Sequence, residues 1–381
     1  METQSLKTLQ LVSVRWWNAS AYYAVSLTEA LNKAGVFSIA GGRRSSPPIQ
    51  KAREFHLPAY TAINLETFNP FTTLLNVFRL TRYIRQHRIS LINGHRPEDG
   101  LYAALVRRRF PTPLPVVRTV SDVRPPKDHP LNKWLHQQGM DFLIFSCHAS
   151  YERYQSVWPI FEKKSAVIYS AIDTDVFQPR SRNSKFRQTL GIGEDEVLIG
   201  IIARLSPVKD HHTFLRAAAR VQQDAPETRF LISGENAQLT RKDLERFATE
   251  LGISERVIFL PRDDSISVRD LIAALDIGVV ASNGSEVICR VAVEYMAMGK
   301  PQVVTNINVL PEIVDDGENG FVVPARDPEA MAKSLLRLIQ NPGLRLQMGK
   351  TARRYAMEKF SYPVFAEKTL RVYQRLVKNP L

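Results

Sequence analysis

Apolar positions along this chain fall into short runs, separated by longer stretches in which they recur at helical spacing. TLQLVSV (8–14), VFSIAGG (36–42), SLINGH (90–95), PVVRTV (115–120) and DFLIFS (141–146) are brief, apolar and rich in β-branched residues, as buried strands are. Residues 19–35, 71–88, 98–109 and 148–154 between them read as helices, the first closed by Gly35. The same alternation resumes at Val197 and runs to about Leu338, where Asp327-Pro328 supplies a capping residue followed by a first-turn proline. Strand and helix in strict alternation predict parallel sheets covered on both faces.

Two strand–loop–helix units carry the candidate chemistry. In the first, VLIGIIARLSPVKDHHTFLRAAARV (197–221), the loop leaving the strand holds Arg204 and Lys209. A planar two-pronged donor and a mobile point charge beside a helix N-terminus suit a diphosphate. The pair taken alone reads equally as two surface cations of a basic protein. In the second unit, ASNGSEVICRVAVEYMAMGKPQVVT (281–305), Glu286 lies in the loop and Glu294 in the helix, with Gly299 placed for a left-handed C-terminal cap. Both glutamates also read as solvated charges until something else ties them to a ligand. His95 ends SLINGH, at the strand end where ligands of such sheets bind, or is a loop histidine bonded to backbone.

In this order, the R-x4-K of Arg204 and Lys209 and the E-x7-E of Glu286 and Glu294 resemble the retaining glycosyltransferases of family 4. RVIFLPR (256–262), GKPQVVTN (299–306), LPEIVDDGENGFVVPARDPEAMA (310–332), FSYPVF, LRVYQRL and VIYSAIDTDVFQP (167–179) extend the resemblance, continuous from residue 165 and looser before it. It implies the GT-B architecture: two doubly wound, Rossmann-like α/β domains facing each other across a cleft. The expected domains are residues 1–178, which bind acceptor and receive a C-terminal helix at 362–381, and residues 179–361, which bind the nucleotide-sugar donor. The implied activity is hexosyl transfer, with retention, from a nucleotide diphosphate sugar to a glycan or lipid-linked acceptor of cell-envelope, lipopolysaccharide or polysaccharide synthesis. Arg204 and Lys209 would hold the diphosphate, Glu286 the sugar hydroxyls, and Glu294 the nucleotide ribose. Val287, Ile288 and Arg290 would line the donor site, and His95 would lie near the transferred sugar. Asn18, Ser20, His95 and Arg96 stand on the acceptor side.

The sequence departs from that pattern in three places. RWWNASAYY replaces the usual glycine-rich turn before the first helix, and Asn18, Ser20 and Tyr22 offer hydrogen bonds there. Val287-Ile288-Cys289-Arg290 replaces a small, glycine-containing stretch, where glycine lets phosphate approach the backbone. Gly234-Glu235-Asn236 stands where many members have more glycines. Two other readings remain open: a non-catalytic nucleotide-sugar-binding paralogue, and a GT-B-shaped epimerase that needs no acceptor.

Composition narrows the partners. A formal charge of +13 points to an anionic ligand, glycan or acidic membrane surface. No nucleic-acid-binding signature accompanies it, so nucleic acid is not expected. Arg79, Arg82, Arg85 and Arg88 recur every three residues along one expected helix, beside Phe71, Leu74, Leu75, Phe78 and Leu80, and Arg107 to Arg109 follow. Either that stripe is a solvated face or it meets an anionic acceptor or lipid. The two cysteines, Cys147 and Cys289, lack metal-ligand spacing, and a reducing compartment fits. With no signal-peptide core at the N-terminus and no membrane-length apolar run, a cytoplasmic location is expected, free or peripheral on the inner membrane face. The D-x-D of Asp173 and Asp175 lies in the connector, where the resemblance implies a turn, so neither metal nor cofactor is expected.

Overall fold

The computed structural model describes residues 6–66, 69–112, 114–159, 162–181, 184–261 and 266–378. Residues 1–5, Arg262 at the end of RVIFLPR, and residues 379–381 lie outside the described residues. The chain forms two compact units, Met1–Ala171 with Tyr362–Leu381, and Ile172–Ser361.

The first unit is built on seven parallel strands: β1 (Lys7–Leu11), β2 (Phe37–Gly41), β3 (Ala59–Tyr60), β4 (Leu91–Gly94), β5 (Val116–Val120), β6 (Phe142–Phe145) and β7 (Ser165–Val167). Their spatial order is β3-β2-β1-β4-β5-β6-β7. From β1 the chain winds outward to β3, then returns to the centre and winds the other way from β4. Leu9, Leu11, Ile39, Ile92, Val116 and Phe145 are buried among helices on both faces. Helices at Pro47–Glu54 and Pro130–Trp134, the latter running into a π-helical turn at Leu135–Gly139, join those read from the sequence. The helix Tyr362–Lys378 packs on helix Ala19–Lys33, where Phe365 meets Tyr23 edge-on at 5.0 Å and Tyr362 donates to Glu29 at 2.9 Å.

The second unit holds six parallel strands: β8 (Leu198–Ile202), β9 (Arg229–Gly234), β10 (Val257–Pro261), β11 (Ile277–Val280), β12 (Gln302–Thr305) and β13 (Phe321–Val323), ordered β10-β9-β8-β11-β12-β13. Winding again reverses at the centre, between β8 and β11. Strands buried on both sides carry near-continuous apolar sequence, as LIGII and IGVV do. Both sheets are therefore doubly wound, and the fold class is GT-B, with two Rossmann-like α/β domains.

Candidate functional site

In an open parallel sheet the loops that follow two neighbouring central strands diverge where winding reverses, leaving a crevice at the strands' carboxyl ends. In the second unit that crevice lies between the loop after β8, with Arg204 and Lys209, and the loop after β11, with Glu286. The two loops are tied together: Asn283 N donates to Val208 O at 2.9 Å and Asn283 Nδ2 to Pro207 O at 3.2 Å. Gly234 closes the other side. A Cβ there would sit 1.8 Å from Ala203 O, so only glycine lets β9 pass this close to the residue before Arg204.

Within the crevice the residues pair. Lys209 Nζ forms an ion pair with Glu286 Oε1, and Ser282 Oγ donates to the same oxygen at 2.5 Å. Glu286 is 4% exposed, so its carboxylate is buried, held by the Lys209 ammonium, the Ser282 hydroxyl and the Cys289 thiol. Burial pulls the Lys209 ammonium down, but the Glu286 carboxylate outweighs it and leaves the pKa above the ordinary lysine value. Arg204 is exposed, makes no ion pair among the described residues, and lies near enough for its charge to oppose that of Lys209. Two non-glycine residues of these loops, Asp210 (φ 48°) and Ser285 (φ 55°), adopt the left-handed conformation, each beside one member of the Lys209–Glu286 pair. Backbone held against its preference recurs where geometry serves a ligand.

Helix N-termini divide differently from the sequence expectation. In helix His211–Asp224 the Asp210 carboxylate takes one of the first amides, accepting from Thr213 N at 3.2 Å, and sets a negative charge at that helix end. The N-terminus of helix Arg290–Ala297 has no side-chain cap and no acidic residue in its first turn, so no carboxylate of that turn offsets its positive end. Val287, Ile288 and Cys289, each under 10% exposed, pack the turn leading into it. Arg290 Nε reaches Glu294 at 2.8 Å, one turn along the same helix, and Glu294 is 3% exposed. The Cys289 thiol is pushed well up by burial and by the Glu286 charge, and so stays protonated.

In the first unit winding reverses between β1 and β4, and the residues expected on the acceptor side lie just after those strands. His95, however, is 2% exposed and turned inward: Nε2 bonds Gln10 Oε1 at 3.1 Å, in a buried network with Thr8, Ser38 and Tyr373. Burial holds its pKa down at about 3, so the ring is neutral, and Nδ1 has no hydrogen-bond partner among the described residues. Asn18 spends its side-chain oxygen capping helix Ala19–Lys33 at Ala21 N, 3.0 Å away, while Ser20 is partly buried in that helix's first turn. Tyr22 donates to Ala171 O at 2.9 Å. Arg96 is placed between Ser13 O at 2.9 Å and Glu98 at 3.2 Å. Sequence reasoning passed over Trp16 and Trp17, 64% and 36% exposed in this loop; two adjacent exposed indoles at a strand's carboxyl end were the available signal. The connector aspartate Asp173 turns its carboxylate onto the amides of Asp175 and Val176 at 3.0 and 3.2 Å.

Comparison with known proteins agrees with this geometry. The family model described as glycosyl transferases group 1 matches residues 182–355, and that described as glycosyltransferase family 4 matches residues 20–176. A D-inositol 3-phosphate glycosyltransferase of Corynebacterium urealyticum is 30% identical over 321 residues, covering 78% of this chain and 74% of the relative. The chain belongs to the family 4, group 1 glycosyltransferases. A Mycobacterium bovis protein of the same description is 35% identical over 217 residues, 55% of this glycosyltransferase and 44% of the relative. Among solved structures, a Rickettsia africae glycosyltransferase superposes with a TM-score of 0.87 at 18% identity, covering 99% of this chain and all of that one. Anabaena HepE in complex with UDP superposes at 0.84 with 21% identity, covering 97% and 100%. Likeness at these identities carries the fold.

Proposed function

We propose that this glycosyltransferase transfers a sugar, with retention of anomeric configuration and without a metal ion, from a nucleoside diphosphate donor bound in the β8/β11 crevice. The observation that carries the reading is the arrangement of Lys209, Glu286 and Ser282 at the switch point, with Arg204 exposed beside it. Arg204, Lys209 and the positive end of helix Arg290–Ala297 bind the diphosphate. Negative charge grows on that group as the glycosidic bond breaks, so fixed cations there stabilise the transition state more than the ground state. The leaving phosphate takes the acceptor's hydroxyl proton on the same face of the sugar. Glu286, held at Oε1 by Lys209 and Ser282 and bonded by the Cys289 thiol, accepts from sugar hydroxyls. Glu294 accepts from the ribose, steadied by Arg290.

Anabaena HepE was also solved with UDP-glucose, which favours a uridine donor. The relatives act on D-inositol 3-phosphate, a phosphorylated polyol; together with the net charge of +13 this favours an anionic glycan or lipid-linked acceptor of the cell envelope. Trp16 and Trp17 add flat apolar faces on which a sugar ring can stack. Among the described residues no helix is long and apolar enough to cross a membrane. Contact with an acidic membrane surface would therefore be peripheral.

The test is incubation with UDP-, GDP- and ADP-sugars and a panel of phosphorylated acceptors, with product configuration read by nuclear magnetic resonance. An α-linked product from an α-linked donor supports the reading, and inversion refutes the retaining mechanism. Sugar interconversion with no acceptor present favours an epimerase. Donor binding without turnover on any acceptor favours a non-catalytic paralogue.

A further inference from the structure

The segments that follow β1, β2 and β3 leave the first unit's sheet at one edge, its carboxyl edge, and they meet at Glu66. Past the strands, Val12 N still donates to Gly41 O at 2.9 Å and Gly42 N to Tyr60 O at 3.0 Å, so the three chains leave side by side. Arg15 Nε and Arg43 Nη1 each lie 3.3 Å from the same carboxylate oxygen, Glu66 Oε2. The Glu66 side chain is 6% exposed, whereas those of Arg15 and Arg43 are 67% and 52% exposed. One buried carboxylate thus gathers two cations that otherwise repel each other, and its charge balances only one of them. It meets each guanidinium at a single nitrogen. The other guanidinium donors hold no acceptor among the described residues, and paired donors of this kind grip a carboxylate or phosphate bidentately. Arg44, the next residue, is exposed and makes no ion pair among the described residues.

An aromatic face stands beside the two cations. Trp16 directly follows Arg15 and is 64% exposed, with no ring packed on it among the described residues. Trp17, by contrast, meets Tyr22 edge-on at 6.3 Å. The loop that carries both indoles is fastened at either end. Asp99 accepts from Ser13 N at 3.3 Å, Arg96 donates to Ser13 O at 2.9 Å, and Asn18 caps the helix that follows. A loop already fixed in place loses little freedom when it takes a ligand.

We propose that Trp16, Arg15 and Arg43 form an acceptor subsite for an acidic sugar, its ring against the indole and its carboxylate or phosphate on the two guanidiniums. The inference rests on the reading of the first unit as the acceptor-binding one, and it places the acceptor's negative charge on a sugar ring.

The test titrates maltotriose, trigalacturonic acid and maltotriose phosphate into the full chain by calorimetry, at fixed ionic strength and with no nucleotide present. Wild type is compared with Arg15→Gln, Arg43→Gln, Trp16→Ala and, as a control for net charge, Arg246→Gln in the second unit, whose side chain is 73% exposed. Each is checked for folding by circular dichroism. Wild type should bind an acidic trisaccharide about tenfold or more tighter than the neutral one, the worth of one charge-assisted contact. Arg15→Gln and Arg43→Gln should each remove most of that preference and leave neutral binding unchanged. Trp16→Ala should weaken acidic and neutral sugars alike, and Arg246→Gln should change neither. Preference for trigalacturonic acid assigns a carboxylate, and preference for the phosphate ester a phosphorylated sugar. Absence of any acidic preference in wild type overturns the proposal, as does a preference undiminished in both arginine variants or equally lost in Arg246→Gln. Failure of the broader reading is told apart by two further measurements. The donor site is judged by nucleotide titration, which these variants should leave unaltered. Acidic-sugar binding without transfer from any donor counts against the acceptor assignment and leaves the subsite standing.

Discussion

Replacing Lys209 by Ala tests the crevice in both its structural and its catalytic sense. The change leaves Glu286, 4% exposed, without its cation, and Ser282 Oγ as the donor that remains to Oε1. Removing one partner of a fully buried ion pair costs about 3–5 kcal/mol. Lys209 keeps 24% of its side chain in solvent and Ser282 stays, so a loss of about 2 kcal/mol is the discounted figure, near that of one charged hydrogen bond. For a unit of this size that lowers Tm by about 4–8 °C. The raised pKa of Lys209 fixes the pH window. Stability from a raised base is complete below its unfolded value and disappears as pH climbs through the folded one, so the loss should be flat near neutrality and shrink only in strong alkali. A cycle with Glu286→Gln isolates the coupling, because the double variant no longer buries an unpaired charge. In turnover, Lys209→Ala should lower kcat/KM about 10- to 100-fold or more, from about 1.5–3 kcal/mol of lost transition-state contact. Lys209→Arg should restore only part of it, since the geometry differs. A folded Lys209→Ala protein with unchanged Tm and near-native kcat/KM refutes the role given to the pair.

Glu286→Gln should depress turnover strongly while leaving affinity for the free nucleoside diphosphate nearly unchanged, whereas Glu294→Ala should weaken that affinity; equal effects in calorimetry contradict the division of roles. Asp99, fully buried against Ser13, has a pKa raised to about 7 by burial. A raised acid gives its stability at low pH and loses it between the unfolded and folded values, so wild-type stability should fall from about pH 4 to 7 and Asp99→Asn should flatten that slope in denaturant titrations. Helix Pro70–His87 exposes Phe71, Leu74 and Phe78 together with Arg79, Arg82 and Arg85, while Leu80 is buried. At about 1 kcal/mol per cation near an acidic surface, the protein should sediment with anionic but not neutral liposomes at low salt; equal sedimentation removes the membrane contact.

The strand pattern was legible because buried parallel strands are apolar throughout: β2, β4, β5 and β6 form within the runs read from the sequence, and β1 overlaps its run. β3 was not legible: two residues at a sheet edge carry no periodicity. Nor was the π-helical turn, whose extra residue breaks helical spacing at His136. The positions of Arg204, Lys209 and Glu286 followed from their place at strand ends, but their mutual pairing did not, since it depends on β8 and β11 being neighbours. Pattern also misjudged two details. The pattern of helix His211–Asp224 did not show that Asp210 takes its Thr213 amide, and Leu80 belongs to the core rather than to the exposed stripe.

The most direct test of the account is calorimetric titration of UDP, GDP and ADP into wild type, Arg204→Ala and the Arg204→Ala/Lys209→Ala double variant, each checked for folding by circular dichroism and run with and without EDTA. The account predicts that one of the nucleotides binds wild type, that each lost cation weakens it by about tenfold or more, and that EDTA changes little. A folded double variant that keeps native affinity, or binding that vanishes with EDTA and returns with metal, would contradict it.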